Sequence, residues 1–202
     1  MDKEIAKAQK ILKSFTKDGV DLSSPSDTTP DSNKQTKGRA KIPAEVLQQA
    51  KGLAIFTTMR AGMWVSGSAG SGVVMARLPD GTWSPPSAFS AYTVGAGAVL
   101  GVDRTESMCV LNTDDAVRAF TQERFGFGAG LAVTAGPVGA DSASAARDAK
   151  DPVWVYVRSK GVFVGAQVDG TRFNARDDIN EGFYGVVGIT PEAILRGRLG
   201  LS

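Results

Sequence analysis

The amino-terminal stretch alternates apolar and polar positions with a helical period. Over residues 3–17, at about 100° per residue, Ile5, Ala8, Leu12 and Phe15 fall on one narrow arc with Ile11 at its edge. Lys3, Lys7, Lys10, Lys13 and Lys17 cover the opposite side. Asp2 and Glu4 sit in the first turn, where the helix dipole favours anions, and Gly19 is a stop signal. Two readings follow: the apolar edge docks on a core and the lysines are a solvated face, or the helix lies on a membrane surface.

From Val20 to Lys41 the period is lost. The run Ser23-Ser24-Pro25-Ser26-Asp27-Thr28-Thr29-Pro30 carries too little apolar area to offset its ordering entropy, so residues 20–41 read as a flexible polar loop. The loop ends in the basic run Lys37-Gly38-Arg39-Ala40-Lys41, read as a solvated loop end that can also contact anions. A short helix is predicted over Ile42–Lys51, with Pro43 near its first turn and Val46, Leu47 and Ala50 inward.

The globular part, residues 42–200, is then dominated by strand patterns. Gly52–Met59 and Val73–Leu78 supply apolar runs, and Gly62, Gly67, Gly70 and Gly72 allow close backbone approach or a sharp bend. Pro79-Asp80-Gly81-Thr82 carries turn chemistry. Tyr92–Gly101 reads as a glycine-bent strand, Glu106–Asn112 as a short apolar strand, and Phe125–Gly136 as strand-like. A hairpin is predicted from Val153–Arg158 and Val162–Val168, turning at Ser159-Lys160-Gly161, with Asp169-Gly170 leading into a further strand over Thr171–Ala175. Thr113 is expected to cap a helix from Asp114 to about Glu123, Asp177–Phe183 a helical turn or more, and Thr190 to cap a last helix opened by Pro191. The fold class is therefore α+β: a strongly bent antiparallel sheet or barrel-like core with flanking helices, in a single domain over residues 1–202.

Composition narrows the chemistry. With no histidine in 202 residues, Ser-His-Asp and Cys-His machinery and most zinc sites are excluded. The one cysteine, Cys109, lies in an apolar run and reads as an inert core thiol, which suits a reducing compartment. The net charge of +2 implies no partner by itself, so the placement of the lysines decides. Glycine spacings such as Gly67-Ser68-Ala69-Gly70-Ser71-Gly72 lack the strand–helix context of a nucleotide fingerprint and suit bent strands. The pairs Asp114-Asp115 and Asp177-Asp178 suit helix starts rather than acid–base catalysis. Aromatic and basic residues do not interleave, which argues against nucleic acid. No apolar run is long enough to span a bilayer, so a cytoplasmic or peripheral membrane location is expected. No enzyme, metal site or cofactor is expected.

Several runs resemble the SYLF domain, also called the yeast-type actin-binding endocytic domain. They include Lys7-Ala8-Gln9-Lys10-Ile11-Leu12-Lys13-Ser14-Phe15, Ile42-Pro43-Ala44-Glu45-Val46-Leu47, Val74-Met75-Ala76-Arg77-Leu78-Pro79-Asp80-Gly81-Thr82-Trp83, Lys160-Gly161-Val162-Phe163-Val164-Gly165 and Phe183-Tyr184-Gly185. The likeness runs in order from about Ala6 to Gly197. It implies a lipid-binding module of membrane trafficking and endocytosis that holds phosphoinositide-containing membranes through its basic first helix. Lys3, Lys7, Lys10, Lys13 and Lys17 would meet lipid phosphates, while Ile5, Leu12 and Phe15 insert or anchor. The alternative is an actin-filament binding or bundling domain. Near Glu181-Gly182 the chain departs from the basic residue that the family often carries.

Overall fold

The helices form where the polar pattern places them, whereas the strands run much further than it suggests and through two stretches that read as turns. The computed structural model describes residues 1–18, 41–122, 124–126, 133–137, 151–164 and 167–199. Helix α1 spans Asp2–Lys13 and widens into a π-helical turn, Ser14–Asp18. Helix α2 covers Ala44–Gln49, α3 Asp114–Ala119, α4 Asp177–Tyr184 and α5 Pro191–Leu195. The Thr113 hydroxyl accepts a hydrogen bond from the Ala116 amide at 3.1 Å, and Thr190 does the same for Ala193 at 3.2 Å. Pro191 occupies the first helical turn, where its missing N–H costs nothing. Gly81, at φ 84°, closes the turn between the first two strands. Most of the loop expected over residues 20–41 lies outside the described residues, as does all of 138–150.

Two strands of 25 residues each organise the sheet: β1, Gly52–Ala76, and β2, Ser87–Leu111. They pair antiparallel from Gly52↔Leu111 to Val74↔Ser87, with one register shift between Met63 and Val65. On the other flank of β2 lie β5, Val153–Val164, and β6, Gln167–Ala175, both antiparallel to it. Short β3, Arg124–Gly126, pairs with β6, and β4, Val133–Ala135, pairs with β5 in parallel. This mixed α+β architecture agrees with the expected class, and the sheet is bent without closing into a barrel.

The expected hairpin at Ser159-Lys160-Gly161 is not there. These residues continue β5 and pair with Thr105, Arg104 and Asp103 of β2, and Asp169-Gly170 pairs with Gly95 and Val94 inside β6. A polar stretch that reads as a turn is matched across the ladder by another polar stretch, so the strand continues through it.

The long ladder folds over on itself. Phe56 pairs opposite Ser107 and Phe89 opposite Gly72. Sixteen residues of β1 therefore separate the two rungs, about 50 Å if straight. Yet the Phe56 ring lies 5.8 Å from Phe89 and 5.5 Å from Phe173, edge to face. The returning half of β1 passes directly over its own beginning: a Cβ at Gly70 would stand 2.0 Å from the Thr57 carbonyl oxygen, and one at Gly72 2.2 Å from that of Ile55. Only glycine permits that approach. The layer between the halves is filled by Ala54, Phe56, Val74, Phe89, Phe173 and Leu111 among others. Cys109 belongs to it, fully buried, with its thiol pKa pushed up by desolvation.

Candidate functional site: the basic outer face of α1

Alternate residues of the first sheet half form rows that α1 covers. Leu53, Val110 and Trp154 make one row, and Ile55, Met108 and Tyr156 the next. Ala8, Ile11 and Phe15 pack on them in one cluster, joined by Ile42, Val46 and Ala50 from the α2 region. Phe15 is 0% exposed and Ile11 3%. Ile5 and Leu12 are only partly buried. The docked face is thus turned by roughly 45° from the arc read in the sequence, toward Ile11. Where the helix widens, the Ser14 and Thr16 hydroxyls donate to the Ile11 and Leu12 carbonyls, each at 2.8 Å.

The third row is polar: Thr57, Glu106 and Arg158. Glu106 is buried and ion-paired to Arg158, whose guanidinium lies 5.8 Å from the centre of the Phe15 ring. Arg104 approaches the same carboxylate at 3.9 Å while staying half exposed. The Ile42 amide donates to the Phe15 carbonyl at 2.9 Å. That bond returns the chain, with exposed Lys41, to the carboxyl end of α1.

Lys3, Lys7, Lys10, Lys13 and Lys17 are all exposed. Lys7 is bonded to Glu4 at 3.0 Å, which trims the positive charge of the first turns. The structure therefore keeps the five lysines together on a solvent-facing surface and adds Lys41 to it. Of the three apolar residues expected to insert or anchor, Phe15 anchors the helix to the protein itself. Ile5 and Leu12 stand at the rim.

Three polar devices went unread in the sequence. Asn180 of α4 is fully buried: its carbonyl accepts from the Ala88 amide at 2.8 Å and its amide donates to Ser87 at 3.3 Å. Arg77 donates to the Leu47 and Gly81 carbonyls and stacks 4.1 Å from the Trp83 ring centre. Glu181 accepts from the Gly188 amide at 2.7 Å, so this carboxylate holds the loop that follows α4. The acidic pairs do structural work as well. Asp115 pairs with Arg118, and Asp178 takes two bonds from Arg176, which hold its pKa below the usual carboxylate value. An open groove of about 490 Å³ between α2 and the β1–β2 turn includes Lys51, Arg77 and Asp114 in its lining. Arg77 is committed to carbonyls there, and Asp114 stands in the first turn of α3. No helix among the described residues is long and apolar enough to cross a membrane.

A family model described as Ysc84, Las17-binding protein actin regulator, matches residues 92–201. LAS seventeen-binding protein 3 of Saccharomyces cerevisiae is 41% identical over 202 residues, covering 97% of this chain and 40% of that protein. Protein YSC84 of the same yeast is also 41% identical, with the same coverage. The human SH3 domain-containing YSC84-like protein 1 is 36% identical over 184 residues, 90% of this chain and 49% of that one. The chain thus spans less than half the length of these relatives. No solved structure matches it significantly.

Proposed function

The chain belongs to the Ysc84 family of Las17-binding actin regulators, and from that premise we propose a non-catalytic module that attaches to phosphoinositide-containing membranes through the outer face of α1. One observation carries the reading: Lys3, Lys7, Lys10, Lys13 and Lys17 stay exposed while the opposite edge of the helix is sealed onto the core. The cations are displayed on a fixed base, so little ordering entropy opposes their use. Each lysine near an anionic leaflet contributes about 1 kcal/mol, so five of them, offset by Asp2 and Glu4, contribute about 3 kcal/mol, roughly a hundredfold in affinity. Salt screens such contacts. Attachment by this face is therefore modest, reversible and sensitive to ionic strength. A peripheral, cytoplasm-facing location follows from it.

The test is cosedimentation with vesicles of varied headgroup and salt, comparing wild type with a Lys7→Glu, Lys10→Glu, Lys13→Glu variant. A loss of about a hundredfold or more is expected at low salt, narrowing as added salt screens the wild-type contacts. Retained binding by the folded variant refutes the assignment, and a response flat across headgroups leaves only nonspecific charge attraction. Removing residues 1–17 would be a poorer test, because it removes Phe15 from the core.

A second reading is favoured by the family description itself: the same lysines contact the acidic surface of actin filaments. Filament cosedimentation of the same two preparations separates the two readings.

A further inference from the structure

Two rungs of the ladder leave the same kind of pair in solvent. Leu53, Ile55, Thr57 and Met59 alternate onto the side of β1 that α1 covers, and the register sets Arg104 opposite Met59. Met59 is 61% exposed, and Arg104 is half exposed. On the returning half Val73 packs in the same cluster as the docked helix, so Ser71 and Ala69 share its side of the strand. Ala69 meets Tyr92, and Tyr92 meets Arg172. Tyr92 is 45% exposed, and Arg172 is exposed as well. Each rung therefore sets an arginine directly across from an exposed side chain with an apolar body. The rungs stand at opposite ends of α1. Arg104 lies one row, about 7 Å along the strand, beyond Glu106, whose partner Arg158 faces the Phe15 ring. Arg176, at the head of α4, is within electrostatic reach of both Tyr92 and Glu4, in the first turn of α1.

We propose that these two rungs, Met59 with Arg104 and Tyr92 with Arg172, are headgroup anchors that bracket the lysine face and fix the orientation of α1 on an anionic bilayer. The inference rests on the membrane reading above. Three observations favour a bilayer over a protein partner. The first is charge. Arg158 neutralises the buried Glu106, so Arg104, held to that carboxylate only at 3.9 Å, keeps donors for a lipid phosphate. The second is side-chain type. A tyrosine ring with its hydroxyl suits the headgroup level, and a methionine thioether adapts to irregular surroundings. The third is area. Two separated side chains fall far short of the roughly 800 Å² that a stable protein interface covers on each partner, whereas a fluid bilayer needs no shape complementarity. Position gives the anchors their use. α1 and its π-helical turn run for about 25 Å, so a contact at each end resists rocking about the line of lysines. The helix stands about 10 Å proud of the sheet, and the protein therefore meets the bilayer leaning on the flank of α1.

Single-site fluorophores test this. Cys109 is buried and its thiol is suppressed, so Met59→Cys and Tyr92→Cys variants can each be labelled selectively with an environment-sensitive dye. Asp115→Cys serves as control, since Asp115 is 76% exposed on α3, which packs through Ala116 and Phe120 into the layer between the sheet halves. On phosphoinositide vesicles both probes should shift blue and be quenched by brominated lipid, while the control stays unchanged. An Arg104→Gln, Arg172→Gln variant should bind about tenfold more weakly at low salt, with an unchanged urea midpoint; Arg118→Gln, on α3, should bind as wild type does. If the protein cosediments and either probe is silent, the bracket is wrong and the lysine reading stands. If the protein does not cosediment at all, both fall. A blue shift that grows with protein concentration in the absence of vesicles would mean that a second copy covers these rungs, and also overturns the proposal.

Discussion

Truncating Phe15 to alanine separates a docked first helix from one that rests loosely on the surface. The side chain is fully buried in the cluster built on Leu53, Ile55, Met108 and Tyr156. Removing a buried Phe costs about 3–5 kcal/mol, through lost transfer energy and the cavity left behind. The Arg158 guanidinium also loses the ring beside it, worth about 0.5–1 kcal/mol in a partly wet site. A loss of about 4 kcal/mol is a large share of the ~5–15 kcal/mol that holds a domain together. At a slope of ~2 kcal/mol/M it moves a urea midpoint by about 2 M. The assay is urea unfolding followed by circular dichroism, with Leu12→Ala beside it. Leu12 is only partly buried and should lose about half as much or less. Coincident midpoints for Phe15→Ala and wild type would refute the docked arrangement and return the helix to the role of a free amphipathic segment.

Other expectations are shorter to state. Gly70→Ala places a methyl group 2.0 Å from the Thr57 oxygen and should abolish the cooperative thermal transition or lower its midpoint sharply. Asn180→Ala leaves the Ala88 amide without its acceptor and should cost about 1–3 kcal/mol, measured by urea titration. Cys109 should ignore a thiol reagent in the native protein and react once the chain is unfolded; prompt native labelling would contradict its burial. Asp178, with a folded pKa depressed by Arg176, adds stability above the unfolded carboxylate pKa and loses it as pH falls through the folded value. The pair is exposed, so Asp178→Asn should shift the acid-unfolding profile from that of wild type only slightly.

Much of this was legible in the helices and little in the sheet. Thr113, Thr190 and Pro191 are read correctly because capping is a local bond, made within three residues. The alternation of lysine and apolar residues in α1 likewise gives its two faces. The turn toward Ile11 is invisible beforehand, because it depends on which sheet rows the helix meets. The full extent of β1 and β2 is hidden by glycine and by apolar residues on both faces, which erase the period-2 signal. Asn180 is illegible for another reason: its partner is 92 residues away along the chain. Glu106 and Arg158, 52 residues apart, meet as a rung of the β2–β5 ladder, whose register no local pattern reveals.

Strand β2 is held by β1 on one flank and by β5 and β6 in succession on the other. A single-residue deletion near its middle would therefore slip one half of the ladder on both flanks together, exchanging inward and outward side chains there. No compensating slip in one neighbour could restore the match, since the other neighbour would remain out of step. The length of this strand is accordingly the least negotiable quantity in the molecule, and variation in chain length has to be absorbed in the connections outside it.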